Sequence, residues 1–163
     1  MSTIVTLIRR VDATVAMGVA IAASLALAVA ALASFWQVMG RFVFQVPSTW
    51  SEALTRVALI WMVMLGISTA LRAGAFVAID LVRDALHRRL RLALELAITL
   101  ACLFLFAMLF WLGWEMALRV QRQEMAGLGI SMSWGYTAIP VGSAFAALGV
   151  LAHFLQNAER IAS

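Results

Sequence analysis

Lysine is absent from this 163-residue chain, and charge of any kind is scarce: 12% of residues are charged, against 64% hydrophobic. A soluble globular domain runs near a quarter charged and half apolar, so this chain has too little charge to cover a water-facing surface. Disorder needs low hydrophobicity and is excluded on the same ground. A single cysteine, Cys102, excludes an intrachain disulfide or a thiolate metal cluster. It lies in an apolar run and reads as a small hydrophobe. Only two histidines are present. His87 lies in a connection and His153 near the end of the last apolar run, so they cannot form the paired ligands at matched depth that haem requires. Nothing resembles a nucleophile with its base, so no catalytic, cofactor or metal site is expected. The net charge of +4 comes from arginines set mostly between apolar runs, which points to topology control and lipid headgroups, not to nucleic acid. The chain reads as one membrane domain over 1–163.

Charges are rare enough to mark the limits of the spans. Uncharged stretches cover Ala13 to Gly40 (28 residues), Val57 to Leu71 (15) and Leu96 to Trp114 (19), and the chain is again charge-free between Glu124 and Glu159. A spanning helix needs about 20 apolar residues. The second run reaches that length if its helix starts near Trp50 and carries Glu52 and Arg56 at one end. The last stretch holds a loop, Ala126 to Ser133, and then a helix from Trp134. Arg9 and Arg10 precede the first run, and Ala31-Leu32-Ala33 has the form of a cleavage site. The run is about twice the length of a signal h-region, so a retained anchor is expected. The expected fold is therefore an all-α integral membrane protein with spans at about 13–36, 50–71, 94–115 and 134–155.

Between spans two and three, Ile79, Val82, Leu86 and Leu90 recur at helical spacing, while Asp80, Arg83, Asp84, His87, Arg88 and Arg91 fall on other faces. This predicts an amphipathic interfacial helix at about 78–91, with Asp80, Arg83, Arg88 and Arg91 toward the headgroups of membrane lipid. A solvated basic hairpin is the alternative.

Small residues repeat every four positions in the first span, as Ala16, Ala20, Ser24 and Ala28 and as Ala22, Ala26, Ala30 and Ser34. Ala138, Gly142 and Ala146 do so in the fourth. Such stripes let helix backbones approach closely in lipid. No span carries an ionisable residue near its middle, which argues against a proton relay or ion path. Polar residues gather at one rim instead. Thr49-Trp50-Ser51-Glu52 reads as a capping box opening the second span. Glu52 and Arg56, and again Glu115 and Arg119, are spaced for helical ion pairs. Trp36, Trp50, Trp111, Trp114 and Trp134 fall at the same level, as in an aromatic belt. These pairs either finish helix ends or form a docking rim for a partner.

Taken in order, the motifs resemble a known family. Gly40-Arg41-Phe42-Val43-Phe44, then Trp50-Ser51-Glu52 with Arg56, Trp61 and Gly66, is similar to the small membrane subunit of tripartite ATP-independent periplasmic (TRAP) transporters, the DctQ type. Arg72-Ala73-Gly74-Ala75-Phe76-Val77-Ala78-Ile79-Asp80 resembles that family's next segment. Leu128 to Trp134, with Tyr136, Pro140, Val141 and Gly142, resembles its lead into the last span. Ala53 stands where a second acid is common, Phe76 where histidine is common and Ser131 where proline is common. The first departure removes a charge from the rim, and the second argues against a required proton or metal role at that position.

The resemblance implies a bacterial inner-membrane scaffold with no substrate or ion site of its own. Its partners would be a large permease subunit (DctM type) that carries the sodium and solute sites, and a periplasmic solute-binding protein (DctP type). The solute would be a carboxylate: a C4-dicarboxylate, a sugar acid or a 2-oxo acid. Arg41, Trp50, Glu52, Arg56, Glu115 and Arg119 become the candidate subunit interface. The rival reading is a free-standing four-helix membrane protein, such as an assembly factor or small exporter.

Four spans place Arg9, Arg10, Arg72, Arg83, Arg88, Arg89, Arg91 and Arg160 on one side and Arg41, Arg56, Arg119 and Arg122 on the other. The excess puts both termini in the cytoplasm. A C-terminal alkaline phosphatase fusion is accordingly expected to be inactive and a C-terminal green fluorescent protein fusion bright; the reverse pattern would refute the assignment.

Overall fold

A computed structural model of the chain describes residues 2–46, 48–72 and 88–162, with side chains described for 13–46, 48–72, 90 and 93–154. Its elements are α1 (Ser2–Phe42), α2 (Thr49–Arg72), α3 (Arg88–Arg119), α4 (Ser133–Tyr136) and α5 (Ala138–Ala162). Among the described residues the one strand-like pairing is an antiparallel bridge between Glu124 and Ser131.

Among the described residues, four stretches are long and apolar enough to cross a membrane: Ala13–Phe42, Thr49–Arg72, Ala93–Arg119 and Ser133–Phe154. At 1.5 Å per residue even the last, with 22 residues, reaches about 33 Å, enough for a hydrocarbon core of about 30 Å. Each expected span is present with shifted ends. The first continues past Trp36 to Phe42, because no turn or breaker intervenes before Val43. The fourth is interrupted at Thr137. Pro140 has no N–H to offer the carbonyl of Tyr136, four residues back, and the helix restarts around that gap. Of the expected interfacial helix at 78–91, residues 78–87, with Asp80 and Arg83, lie outside the described residues. Arg88 and Arg91 belong to the first turn of α3, which runs unbroken into the third span.

The helices form a row and not a square bundle. α1 packs on α2, α2 on α5, and α5 on α3, so α5 returns between the two helices that precede it. Apolar burial is split between two small clusters. Val19, Ala23 and Leu65 meet at the α1–α2 seam, with Trp61 and Phe145 against them. Phe106, Ala146 and Val150 meet at the α3–α5 seam, with Ile67 and Leu71 closing it from α2. Large apolar side chains elsewhere face outward, among them Leu32, Phe104 and Trp111 at 70, 70 and 72% exposure. In water such a surface would aggregate. In a bilayer it is solvated by acyl chains, which give no hydrophobic drive for helices to associate.

What holds the row together is close backbone approach. The buried stripe of α1 runs through Val19, Ala23, Ala30, Ala33 and Gly40, with Ala26 and Gln37 half-buried between them. That alternation of four- and three-residue steps is a heptad seam. It cuts across both alanine stripes seen in the sequence, and leaves Ala22, Ser24 and Ala28 exposed. The α5 stripe Ala138, Gly142 and Ala146 is wholly buried, as its spacing suggested. A Cβ at Gly142 would lie 2.5 Å from Met64 Cβ and 2.9 Å from the Met64 carbonyl carbon, so α2 sits directly against the α5 backbone. Gly113 of α3 admits Ile139 and Pro140 of α5 in the same way.

Side-chain hydrogen bonds also cross the seams. Ser68 Oγ, fully buried, donates to the Phe145 carbonyl at 3.0 Å, and Trp61 Nε1 donates to the Trp134 carbonyl at 3.1 Å. Bonds of this kind inside membranes average about 0.6 kcal/mol. Their larger effect is to leave no donor stranded in hydrocarbon.

Gly142→Ala is expected to force α2 and α5 apart and to destabilise the detergent-solubilised chain by about 1–3 kcal/mol. Gly66→Ala meets nothing within 4 Å and should stay within about 0.5 kcal/mol of the parent. The midpoints of denaturant titrations followed by circular dichroism would check both.

Candidate functional site

Three helices leave a charged group at the same end of the row. Arg41 lies in the last turn of α1, Glu52 in the first turn of α2, and Arg119 in the last turn of α3. Acid at a helix start and base at a helix end each complement the helix dipole. Arg56 Nη2 donates to Glu52 Oε1 at 2.9 Å, and Arg119 donates to Glu115, so both spaced pairs are formed. Their side chains stay open: 72 and 59% exposed for Arg56 and Glu52, 67 and 48% for Arg119 and Glu115.

The capping box expected on Thr49 and Glu52 is not the arrangement found. α2 begins at Thr49, which makes Ser48 the capping position, and the Glu52 carboxylate accepts from Arg56. Ser51 Oγ donates to the Ser48 carbonyl instead, and the buried Ser48 Oγ has no hydrogen-bond partner. The helix starts one residue early because Ser51, wholly buried, turns back to satisfy the carbonyl that precedes it.

Sequence reasoning placed a loop at Ala126 to Ser133 but did not anticipate the form of the connection between α3 and α4. It is a small hairpin closed by Met132 N–H to the Gln123 carbonyl (2.7 Å) and Met125 N–H to the Ile130 carbonyl (2.8 Å). Ser131 Oγ reaches the Gln121 carbonyl at 2.7 Å and braces its base. Gly127 and Gly129 take positive φ (88° and 62°) to turn its tip. At Gly127 a Cβ would also lie 2.8 Å from Thr49 Oγ1 and from Trp50 N. The tip therefore rests on the first turn of α2, and only glycine fits there.

With the hairpin in place, a groove of about 410 Å³ opens between α2, the hairpin and the start of the fourth span. Thr49, Glu52, Ala53, Arg56, Val57 and Ile60 line it from α2, Met125, Ala126 and Met132 from the hairpin, and Gly135, Tyr136 and Ile139 from α4 and α5. Its lower walls are apolar, and its mouth carries the Glu52–Arg56 pair. Trp50 stands half-open beside it on the first turn of α2. Glu115 and Arg119 do not reach this groove. They lie on α3, on the far side of α5, and Arg41 ends α1 on the opposite flank. The candidate rim is thus three separate stations at one end of the row. Met125 had no signal in the sequence beyond the turn glycines around the hairpin, and Met132 and Tyr136 entered only as part of the family-like lead into the last span.

A row of apolar helices with paired charges at one end defines a multi-pass helical membrane protein. Residues 30–160 match the family described as tripartite ATP-independent periplasmic transporters, DctQ component. The chain is 34% identical over 110 residues to the sialic acid TRAP transporter small permease protein SiaQ of Vibrio cholerae serotype O1, covering 68% of this chain and 64% of that protein. It is also 30% identical over 112 residues to the sialic acid TRAP transporter permease protein SiaT of Haemophilus influenzae, covering 64% of this chain and 17% of that protein. The chain belongs to the DctQ family of TRAP small membrane subunits, and it is a multi-pass inner-membrane protein.

Because both ion pairs are exposed, each should contribute only about 0.3–0.5 kcal/mol to the isolated chain. A double-mutant cycle on Glu52→Ala and Arg56→Ala, read from denaturation midpoints, is expected to give that coupling at low salt. It should fade at molar salt.

Proposed function

We propose that this chain is the small scaffold subunit of a sodium-driven, binding-protein-dependent TRAP transporter that imports a carboxylate solute. Its partners are a large permease subunit of DctM type, which carries the solute and sodium sites, and a periplasmic solute-binding protein of DctP type. The chain acts as a single membrane domain over 1–163 with both termini cytoplasmic, and it does no coupling itself.

The match of residues 30–160 to the DctQ component carries this reading. Two further observations support it. The four apolar stretches keep their ionisable groups near their ends, where water reaches them, so a charge-coupled step has no group to act through in mid-membrane. The segment similar to this chain is 17% of the much longer SiaT permease protein, which supports a working arrangement alongside a larger transmembrane body. Both named relatives are permease proteins of sialic acid TRAP transporters. Sialic acid is a sugar acid, which favours that solute class over a C4-dicarboxylate.

In this reading Arg41, Trp50, Glu52, Arg56, Glu115 and Arg119 form the polar rim that meets the permease or the docked binding protein. An ion pair that loses water at an interface behaves differently from an exposed one. Removing one partner of it costs about 2–5 kcal/mol, much of it from the charge left unpaired. Glu52→Ala and Arg56→Ala are therefore expected to insert normally, to co-purify poorly with the permease, and to lower solute uptake in proteoliposomes holding all three components. Uptake by this chain alone, or parental assembly and uptake by both variants, would overturn the proposal.

A further inference from the structure

The groove above Ile60 has a graded chemistry, charged at its mouth and apolar below. Along α2 it spans Thr49 to Ile60, about 17 Å of helix axis. Its mouth lies at the first turn of α2, the level at which that apolar stretch begins. Its floor, at Ile60 and Ile139, lies two to three turns deeper, within the hydrocarbon. One acid and one base stand at the top, and aliphatic walls lie below. The Glu52–Arg56 bond occupies one guanidinium N–H and one carboxylate oxygen. Four further N–H donors on Arg56 and several lone pairs on Glu52 therefore stay open to a ligand.

We propose that this groove is a binding site for a single phospholipid with a primary-ammonium, zwitterionic headgroup, of the phosphatidylethanolamine type. Arg56 holds the phosphate through the forked donors that suit that anion. Glu52 accepts N–H bonds from the ammonium, and Val57, Ile60 and Ile139 cover the upper part of one acyl chain. The two charges match both charges of the headgroup, and the polar-to-apolar order down the groove matches headgroup followed by chain. A choline headgroup has no N–H for Glu52, and a glycerol headgroup has no cation, so each satisfies only half of the mouth.

The test uses the purified full chain, without permease, equilibrated with vesicles of equal phosphatidylethanolamine, phosphatidylcholine and phosphatidylglycerol. Native mass spectrometry then reads the lipids retained. One phosphatidylethanolamine per chain is expected, with the other two retained about tenfold less, the loss of one charge-assisted contact. Arg56→Gln should lower retention of all three, and Glu52→Gln should bring phosphatidylethanolamine down to the level of phosphatidylcholine. Ala53→Phe, which fills the groove while leaving both charges, should remove retention altogether. Equal retention of the three headgroups, no stoichiometric lipid, or retention untouched by Ala53→Phe would overturn the proposal. So would a cysteine at position 53 that cross-links to the permease in native membranes while no lipid is retained. Because the readout needs no partner chain, its outcome is independent of whether the rim docks the permease.

Discussion

The contact between α2 and α5 is the constraint on which the rest of the molecule rests. Acyl chains are as apolar as leucine, so helices in lipid gain little by merely meeting. They hold where backbones come close enough for dispersion and where polar groups find partners. α5 meets both conditions toward α2: Gly142 lies flat against Met64, and Ser68 donates across to Phe145. Toward α3 it presents Ala146, Ile139 and Pro140 to Phe106 and Gly113. α5 therefore takes neighbours on two sides by close approach, and it occupies the place between α2 and α3 that sequence order alone would not assign. α1 has one such face, the heptad stripe from Val19 to Gly40, and ends up on the flank.

Much of this was legible in the residue pattern, and the part that was not has a physical reason. Spans follow from the spacing of charges, because a bilayer forbids charge in its centre more strictly than water forbids apolar surface. The Glu52–Arg56 and Glu115–Arg119 pairs follow from their four-residue spacing, and the burial of Ala138, Gly142 and Ala146 from theirs. The order of helices in the row is not encoded in any single stripe. It depends on which of several small faces find a partner, and α1 offered two alanine stripes while burying a third line between them. The groove was hidden for a related reason. It exists only because Gly127 lets a distant hairpin touch Thr49 and Trp50, a contact between segments far apart in the chain. The offset at Thr49 shows the limit of local motifs: Ser51 satisfied a backbone carbonyl, and the capping box gave way to it.

The chemistry of the row agrees with a division of labour. Ionisable groups stand at helix ends, where they orient the chain and meet water, headgroups or protein. Apolar faces as large as those carrying Leu32, Phe104 and Trp111 are the ordinary condition of membrane helices, and they also offer two broad sides to a larger neighbour. In the proposed role, a subunit built this way would add bulk and a fixed position in the bilayer to an assembly.

Being one helix thick also has a mechanical consequence. Each helix is stiff along its own axis, whereas neighbouring helices are joined along single seams where small residues let backbones approach. Such a structure behaves like slats hinged edge to edge. Rotation at such seams would change the curvature of the row in the membrane plane without breaking a backbone hydrogen bond, because every backbone bond of a helix is internal to it. A palisade of this kind can follow the curvature of a much larger body, where a square bundle with a shared core would have to be met as a rigid block.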